Sequence, residues 1–161
     1  MPTAGVGPPE QPARRSRAAS YACAMELEVG PFDPALHIRS RDHYEAVRRE
    51  AQLVALQPDA PPARFEQLIE RLTRQFPRSP VDDVADRAYL AKEPIFAARV
   101  SLPDELVPAA LEACDELETL MDDLDRWAAT EIQLLEAPED VKRYRQAYLD
   151  QARAQLRSAR G

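Results

Sequence analysis

The sequence predicts an all-α bundle of about five helices, closed by a C-terminal antiparallel helical hairpin and carrying a short two-stranded ribbon. Three observations predict it. Alanine (27) and leucine (17) far outnumber valine, isoleucine and threonine together (17), which favours helix over sheet. No glycine lies between Pro31 and Arg160, so tight hairpin turns lack their preferred residue and a sandwich or barrel is excluded. Finally, Leu106, Ala110, Ala113, Leu117, Leu120, Leu124 and Trp127 alternate by four and three, the spacing of an a/d seam.

The elements follow in chain order. Residues 1–24 hold four prolines, two glycines and few large apolar groups, so they are expected to be a disordered tail. Met25, where the texture changes, reads as a second candidate start. Residues 25–161 form one helical domain, opened by an extended arm over 26–38. Asp33-Pro34 can cap a helix over about 36–56, with Leu36, Tyr44, Val47, Ala51, Val54 and Ala55 on one side. The cluster Pro58–Pro62 ends it. A second helix covers 61–76, where Phe65, Leu68, Ile69, Leu72 and Phe76 form an apolar stripe, and Pro77 stops it. Ser79-Pro80-Val81-Asp82 starts a third helix that runs to about Lys92, with Ser79 as cap and Asp82 in reach of the first amides. Residues 95–102 are the one strand-like run, and their natural partner is the Leu27–Val29 arm.

The fourth helix, 103–129, either kinks or begins at Pro108. Ala137-Pro138-Glu139-Asp140 opens the fifth, 138–158, with Val141, Tyr144, Tyr148, Ala152 and Gln155/Leu156 on one side. Residues 112–140 carry eleven acids and one base, while residues 142–160 carry six bases and one acid. Antiparallel neighbours of opposite sign attract, which helps select this register. Exposed pairs contribute only ~0–1 kcal/mol each, so the apolar seam is expected to supply the stability.

Composition narrows the function. The net charge is −7, and residues 25–161 hold 18 bases against 27 acids, which argues against a nucleic-acid binder. Glycine-rich phosphate loops are excluded from the body of the chain. No run approaches the ~18 apolar residues of a membrane-spanning helix. The twin arginine Arg14-Arg15 invites an export reading, but residues 18–26 are too short and weakly apolar for a signal-peptide core. Cys23 and Cys114 are too far apart to suggest a disulfide framework or paired metal ligands, which fits a cytoplasmic setting.

Candidate chemistry is sparse. Asp122, Asp123 and Asp125 bunch on a helix and could hold Mg²⁺ against a phosphate substrate. The facing helix is basic, however, and a solvated acidic face is the simpler reading. His37 and His43 are six apart, about 600° around a helix, so they do not share a face. His43, with Arg39 and Arg41 nearby, is a candidate phosphoacceptor or contact residue, against a plain surface or structural histidine. Trp127, Tyr144 and Tyr148 could line a groove between helices four and five, against ordinary aromatic packing at the hairpin. Cys114 beside the seam reads as a small buried apolar residue. No catalytic set assembles, and no cofactor is expected.

Two stretches carry a resemblance. Residues 33–50, Asp33-Pro34-Ala35-Leu36-His37 through Arg48-Arg49-Glu50, resemble the opening helix of a group of small, uncharacterised actinobacterial helical proteins. Residues 138–149, Pro138-Glu139-Asp140-Val141 through Tyr148-Leu149, resemble their last helix, and the turn Val100-Ser101-Leu102-Pro103 before an acidic helix is similar too. Ala51 stands where that group has an aromatic, and the tryptophan near Tyr148 is lacking. Those proteins accompany anti-sigma kinase, antagonist and serine-phosphatase regulators, so the resemblance implies a role in stress-response signalling. No catalytic residue carries over.

The expected function is therefore a non-enzymatic regulatory or adaptor protein acting through protein–protein contacts. The alternative is a metal-dependent enzyme or small-ligand binder using Asp122, Asp123 and Asp125. A homodimer is also expected, because Leu111 with Cys114, Met121 with Ala128, and Leu149 with Leu156 flank the seams and leave more apolar surface than one neighbour can cover.

Overall fold

The fold is organised by an antiparallel ribbon whose one apolar face is covered by helices. In the computed structural model, residues 24–54, 61–76, 78–131 and 136–159 are described. Strand β1 (Ala24–Phe32) pairs with β2 (Phe96–Pro103), with Met25 opposite Leu102, Leu27 opposite Val100 and Val29 opposite Ala98. Residues alternate as a strand with one covered face requires: Leu27, Val29, Ala98 and Leu102 are buried, while Glu26, Glu28, Arg99 and Ser101 are exposed. The expected ribbon is thus present, and its first strand is longer than the Leu27–Val29 arm.

Five α-helices are found among the described residues: α1 (Pro34–Val54), α2 (Pro61–Gln75), α3 (Val81–Leu90), α4 (Val107–Glu131) and α5 (Glu139–Ser158). None is long and apolar enough to cross a membrane. Asp33 caps α1 as expected, its Oδ1 accepting from the Ala35 amide at 2.8 Å. Ser79 accepts from the Val81 amide at 3.2 Å, whereas Asp82 turns away from the helix start toward α1. At Pro108 the helix begins: one 3₁₀ turn over Asp104–Leu106 precedes α4, so the missing proline N–H falls where no intrahelical bond is needed. The expectations for residues 1–23, for Pro58, Pro77 and for most of the α4–α5 link lie outside the described residues.

The core has three parts. Val29, Phe96 and Ala98 pack on Val81, Ala85 and Ala88 of α3. Leu27 and Leu102 pack on Val107 of α4 and Leu156 of α5. Val47, Phe65, Met121 and Leu124 join α1, α2 and α4. Met121, Ala128, Leu149 and Leu156 are therefore buried within one chain. Those four side chains are thus not free to cover a second copy, whereas Leu111 and Cys114, the other pair behind the expected homodimer, are half-buried.

The outer edge of β1 is closed by side chains. Gln155 of α5 accepts from the Glu28 amide and donates to the Glu28 carbonyl; Gln151 does the same for Gly30. Four helical residues rise about 6 Å, and two strand residues span about 6.6 Å. Two amides four residues apart on a helix can therefore match alternate backbone units of a strand, and they occupy an edge that would otherwise be open to pairing.

Gly30 sits where the ribbon bends, at the irregular register between Val29 and Phe32, with φ +118°. A Cβ there would lie 2.6 Å from the Phe96 carbonyl oxygen, a backbone atom that cannot swing aside. Gly30→Ala should lower stability by about 2–3 kcal/mol through combined strain and clash, seen as a lower urea midpoint. An unchanged midpoint would mean the bend is not under this constraint.

Candidate functional site

The polar groups of interest collect where α1, α3, α4 and α5 meet. Helix α1 turns His37, Ser40, Tyr44 and Val47 toward the core, positions i, i+3, i+7 and i+10. His37 and Ser40 are buried, at 8% and 7% exposure, and Leu36, expected inside, is only half-buried. The inward stripe of α1 is thus half polar. Hydropathy alone does not place it.

His37 bridges two helices. Its Nε2 lies 2.8 Å from Asp82 Oδ1 on α3, and its Nδ1 lies 2.6 Å from the Tyr144 hydroxyl on α5. A carboxylate only accepts, so Nε2–H donates to Asp82. The hydrogen bond to His37 holds the Asp82 carboxyl below its ordinary range, against the opposing effect of burial. Burial pushes the Tyr144 phenol well above its ordinary value. The Asp82–His37–Tyr144 chain ties α3, α1 and α5 together.

Arg145 is the second bridge. Its side chain is 8% exposed, and its Nη1 donates to Asp125 Oδ2 and to the Tyr44 hydroxyl, both at 2.8 Å. Its Nη2 donates to Asp122 Oδ1 at 2.7 Å. Its Nε–H is buried and has no acceptor among the described residues. Two turns along α5, Arg153 repeats the arrangement on Asp115 at 2.8 Å and on Glu118, and its side chain is also 8% exposed. The partners run in opposite order along the two helices, which fixes them as antiparallel. Asp115, Glu118, Asp122 and Asp125 are spaced by three, four and three, so they form an acidic row alongside the apolar seam.

This placement decides how the predicted residues read. Asp122 and Asp125 are taken up by Arg145, while Asp123 faces Arg126 and, at 3.7 Å, Arg64. Two of the three carboxylates share Arg145 and the third turns to other arginines, and no group of three metal-ligating side chains occurs among the described residues. The solvated-face reading also needs correction, since Asp125 is only 9% exposed. Trp127 packs with the Val47–Phe65–Met121–Leu124 cluster, whereas Tyr144 and Tyr148 pack on Phe32, at ring separations of 5.1 and 6.1 Å. Of the three residues expected to line a groove, Tyr144 and Tyr148 share a cavity with Leu117 and Met121 of α4, and Trp127 is not part of it. The cations expected beside His43 are engaged elsewhere: Arg39 on Asp140 at 2.6 Å, Arg41 on Asp86 at 3.0 Å. Cys114 is half-buried, and burial pushes its thiol up.

Two cavities border these bridges. One of about 180 Å³ lies against His37, Tyr44, Tyr144 and Arg145, with Leu117 and Met121 from α4. A second, about 230 Å³, is lined largely by apolar side chains of the ribbon, α2, α4 and α5, and shares Leu117, Tyr148 and Leu149 with the first. On the far end of α3, Tyr89, Leu90 and Ile95 stand 52%, 80% and 57% exposed. Comparison of the chain with protein-family models, curated proteins and solved structures finds no match in any of the three.

His43 supplies a pH test. It is half-buried, edge-on to Tyr44 with rings 5.0 Å apart, and its Nε2 has no partner among the described residues. Burial lowers its pKa below the ordinary value near 6.5, with Asp125 opposing and Arg145 reinforcing the shift. Between the folded and unfolded values the unfolded chain binds more protons, so this residue makes stability rise with pH through that window. His43→Gln should flatten the loss of melting temperature as pH falls from about 7 toward 5. Parallel wild-type and variant curves would show that His43 titrates alike in both states.

Proposed function

We propose that the protein is a non-enzymatic regulatory or adaptor protein that works in the cytoplasm by binding another protein. The observation that carries this reading is the apolar surface at the α3–β2 turn. Tyr89, Leu90 and Ile95 lie within seven residues of one another and are the large hydrophobic side chains left exposed among the described residues. Tyr89 and Leu90 border a groove that Asp33, Pro34, Lys92, Glu93 and Pro94 also line. A rimmed apolar patch with an aromatic anchor is the usual make-up of a protein contact. The excess of acids in residues 25–161, 27 against 18 bases, favours a partner with a basic rim, since complementary charge speeds encounter.

The likeness of residues 33–50 and 138–149 to actinobacterial proteins found with anti-sigma, antagonist and serine-phosphatase regulators supports stress-response signalling as the setting. The competing reading, a metal site on Asp122, Asp123 and Asp125, draws no support from carboxylates already paired with arginine.

The test is capture from native-host lysate at low salt on immobilised protein, comparing wild type with a Leu90→Glu, Ile95→Glu double variant. Both positions are exposed, so the variant should keep its helical circular dichroism. The expected result is a protein retained by wild type and depleted at least tenfold on the variant. Equal capture by both, or none by either, would reject the α3–β2 turn as the docking face.

A further inference from the structure

We propose that the 180 Å³ cavity between α1, α4 and α5 is a binding site for a small uncharged molecule, largely apolar, that carries one hydrogen-bond acceptor such as a ketone or amide carbonyl. An apolar cavity of about 150 Å³ accommodates benzene. The volume here suits a ring of that size with a short polar substituent. Leu117, Met121, Tyr148 and Leu149 supply apolar wall. Arg145 lines the same cavity with a side chain more than nine-tenths buried, and its Nε–H has no protein acceptor among the described residues. A buried donor on a charged group is costly to leave without an acceptor, so a ligand that displaces water from it must bring one.

The charge balance selects an uncharged molecule. The Arg145 guanidinium already faces two carboxylates, Asp122 and Asp125, and the other arginine of the wall, Arg41, is paired with Asp86. An anion would meet a surplus of negative charge. A cation such as an ammonium has no acceptor to offer and would leave the Nε–H unanswered. A neutral carbonyl satisfies the donor without disturbing either pair. The second cavity, reached past Leu117, Tyr148 and Leu149, gives room for a longer apolar substituent to extend toward the ribbon.

The test is a titration of ¹⁵N-labelled protein with acetophenone and, separately, with ethylbenzene, which has nearly the same shape and no acceptor. The Arg145 Nε–H cross-peak is followed in each. Acetophenone should shift it saturably at millimolar concentration or below, and ethylbenzene should bind about tenfold more weakly, the discrimination expected of one hydrogen bond to a charged donor. Leu117→Phe, which adds bulk between the two cavities, should weaken acetophenone binding while the amide spectrum stays folded. No saturable shift with either compound would overturn the proposal, as would equal affinity for the two. An Nε–H that contacts only water throughout the titration would also reject it and assign the cavity to solvent.

Discussion

The burial of Arg145 is the constraint on which the rest of the packing depends. Removing a guanidinium from water is unfavourable by several kcal/mol unless charge and hydrogen bonds are returned to it. Here Asp125 and Asp122 come from α4, and the Tyr44 hydroxyl comes from α1. A shift of α5 by one residue would turn Arg145 by about 100° and separate it from all three. Arg153 repeats the lock near the other end of the helix pair, on Asp115 and Glu118. Its partners are more exposed, at 66% and 29% of their side chains, so it guides register with less at stake.

Once α5 is fixed, it places everything it touches. Its Tyr144 reaches His37, and through His37 the carboxylate of Asp82, which ties α1 and α3 to it. Its Gln151 and Gln155 hold the outer edge of β1, which in turn carries β2 and the apolar face over α3. Five side chains of one helix, Tyr144, Arg145, Gln151, Arg153 and Gln155, thus join every layer of the domain except α2. That helix is held by Phe65 against Val47, Met121 and Leu124, and by the Arg48–Glu66 pair. The Leu90–Ile95 turn lies beyond this network, which is consistent with a surface free to meet a partner while the interior stays fixed.

The fold was legible where local chemistry or apolar spacing decides it. Asp33 and Ser79 beside prolines marked helix starts; the stripe from Phe65 to Phe76 marked α2; the opposite charges of 112–140 and 142–160 marked an antiparallel pair. The interior polar groups were not legible by the same means. His37 can be buried because partners 45 and 107 residues away meet it, and no local pattern in the sequence announces that meeting. Arg145 and Arg153 did leave a trace. Their acidic partners repeat by three, four and three beside the apolar seam, a period that a purely solvated face does not need. Reading charge as surface hid it, and so the cluster around Asp122 looked like a metal candidate when it is one wall of an ionic seam.

A double-mutant cycle on Arg145 and Asp125 tests this account most directly, with stability read from urea unfolding. Arg145→Met leaves Asp125 buried and unpaired and should reduce stability by about 3–5 kcal/mol. Adding Asp125→Leu removes the stranded charge, and the double variant should recover at least about 2 kcal/mol of that loss, a coupling typical of groups in direct contact. Additive losses, or an Arg145→Met variant within about 1 kcal/mol of wild type, would contradict the claim that this buried arginine sets the register of the helical pair.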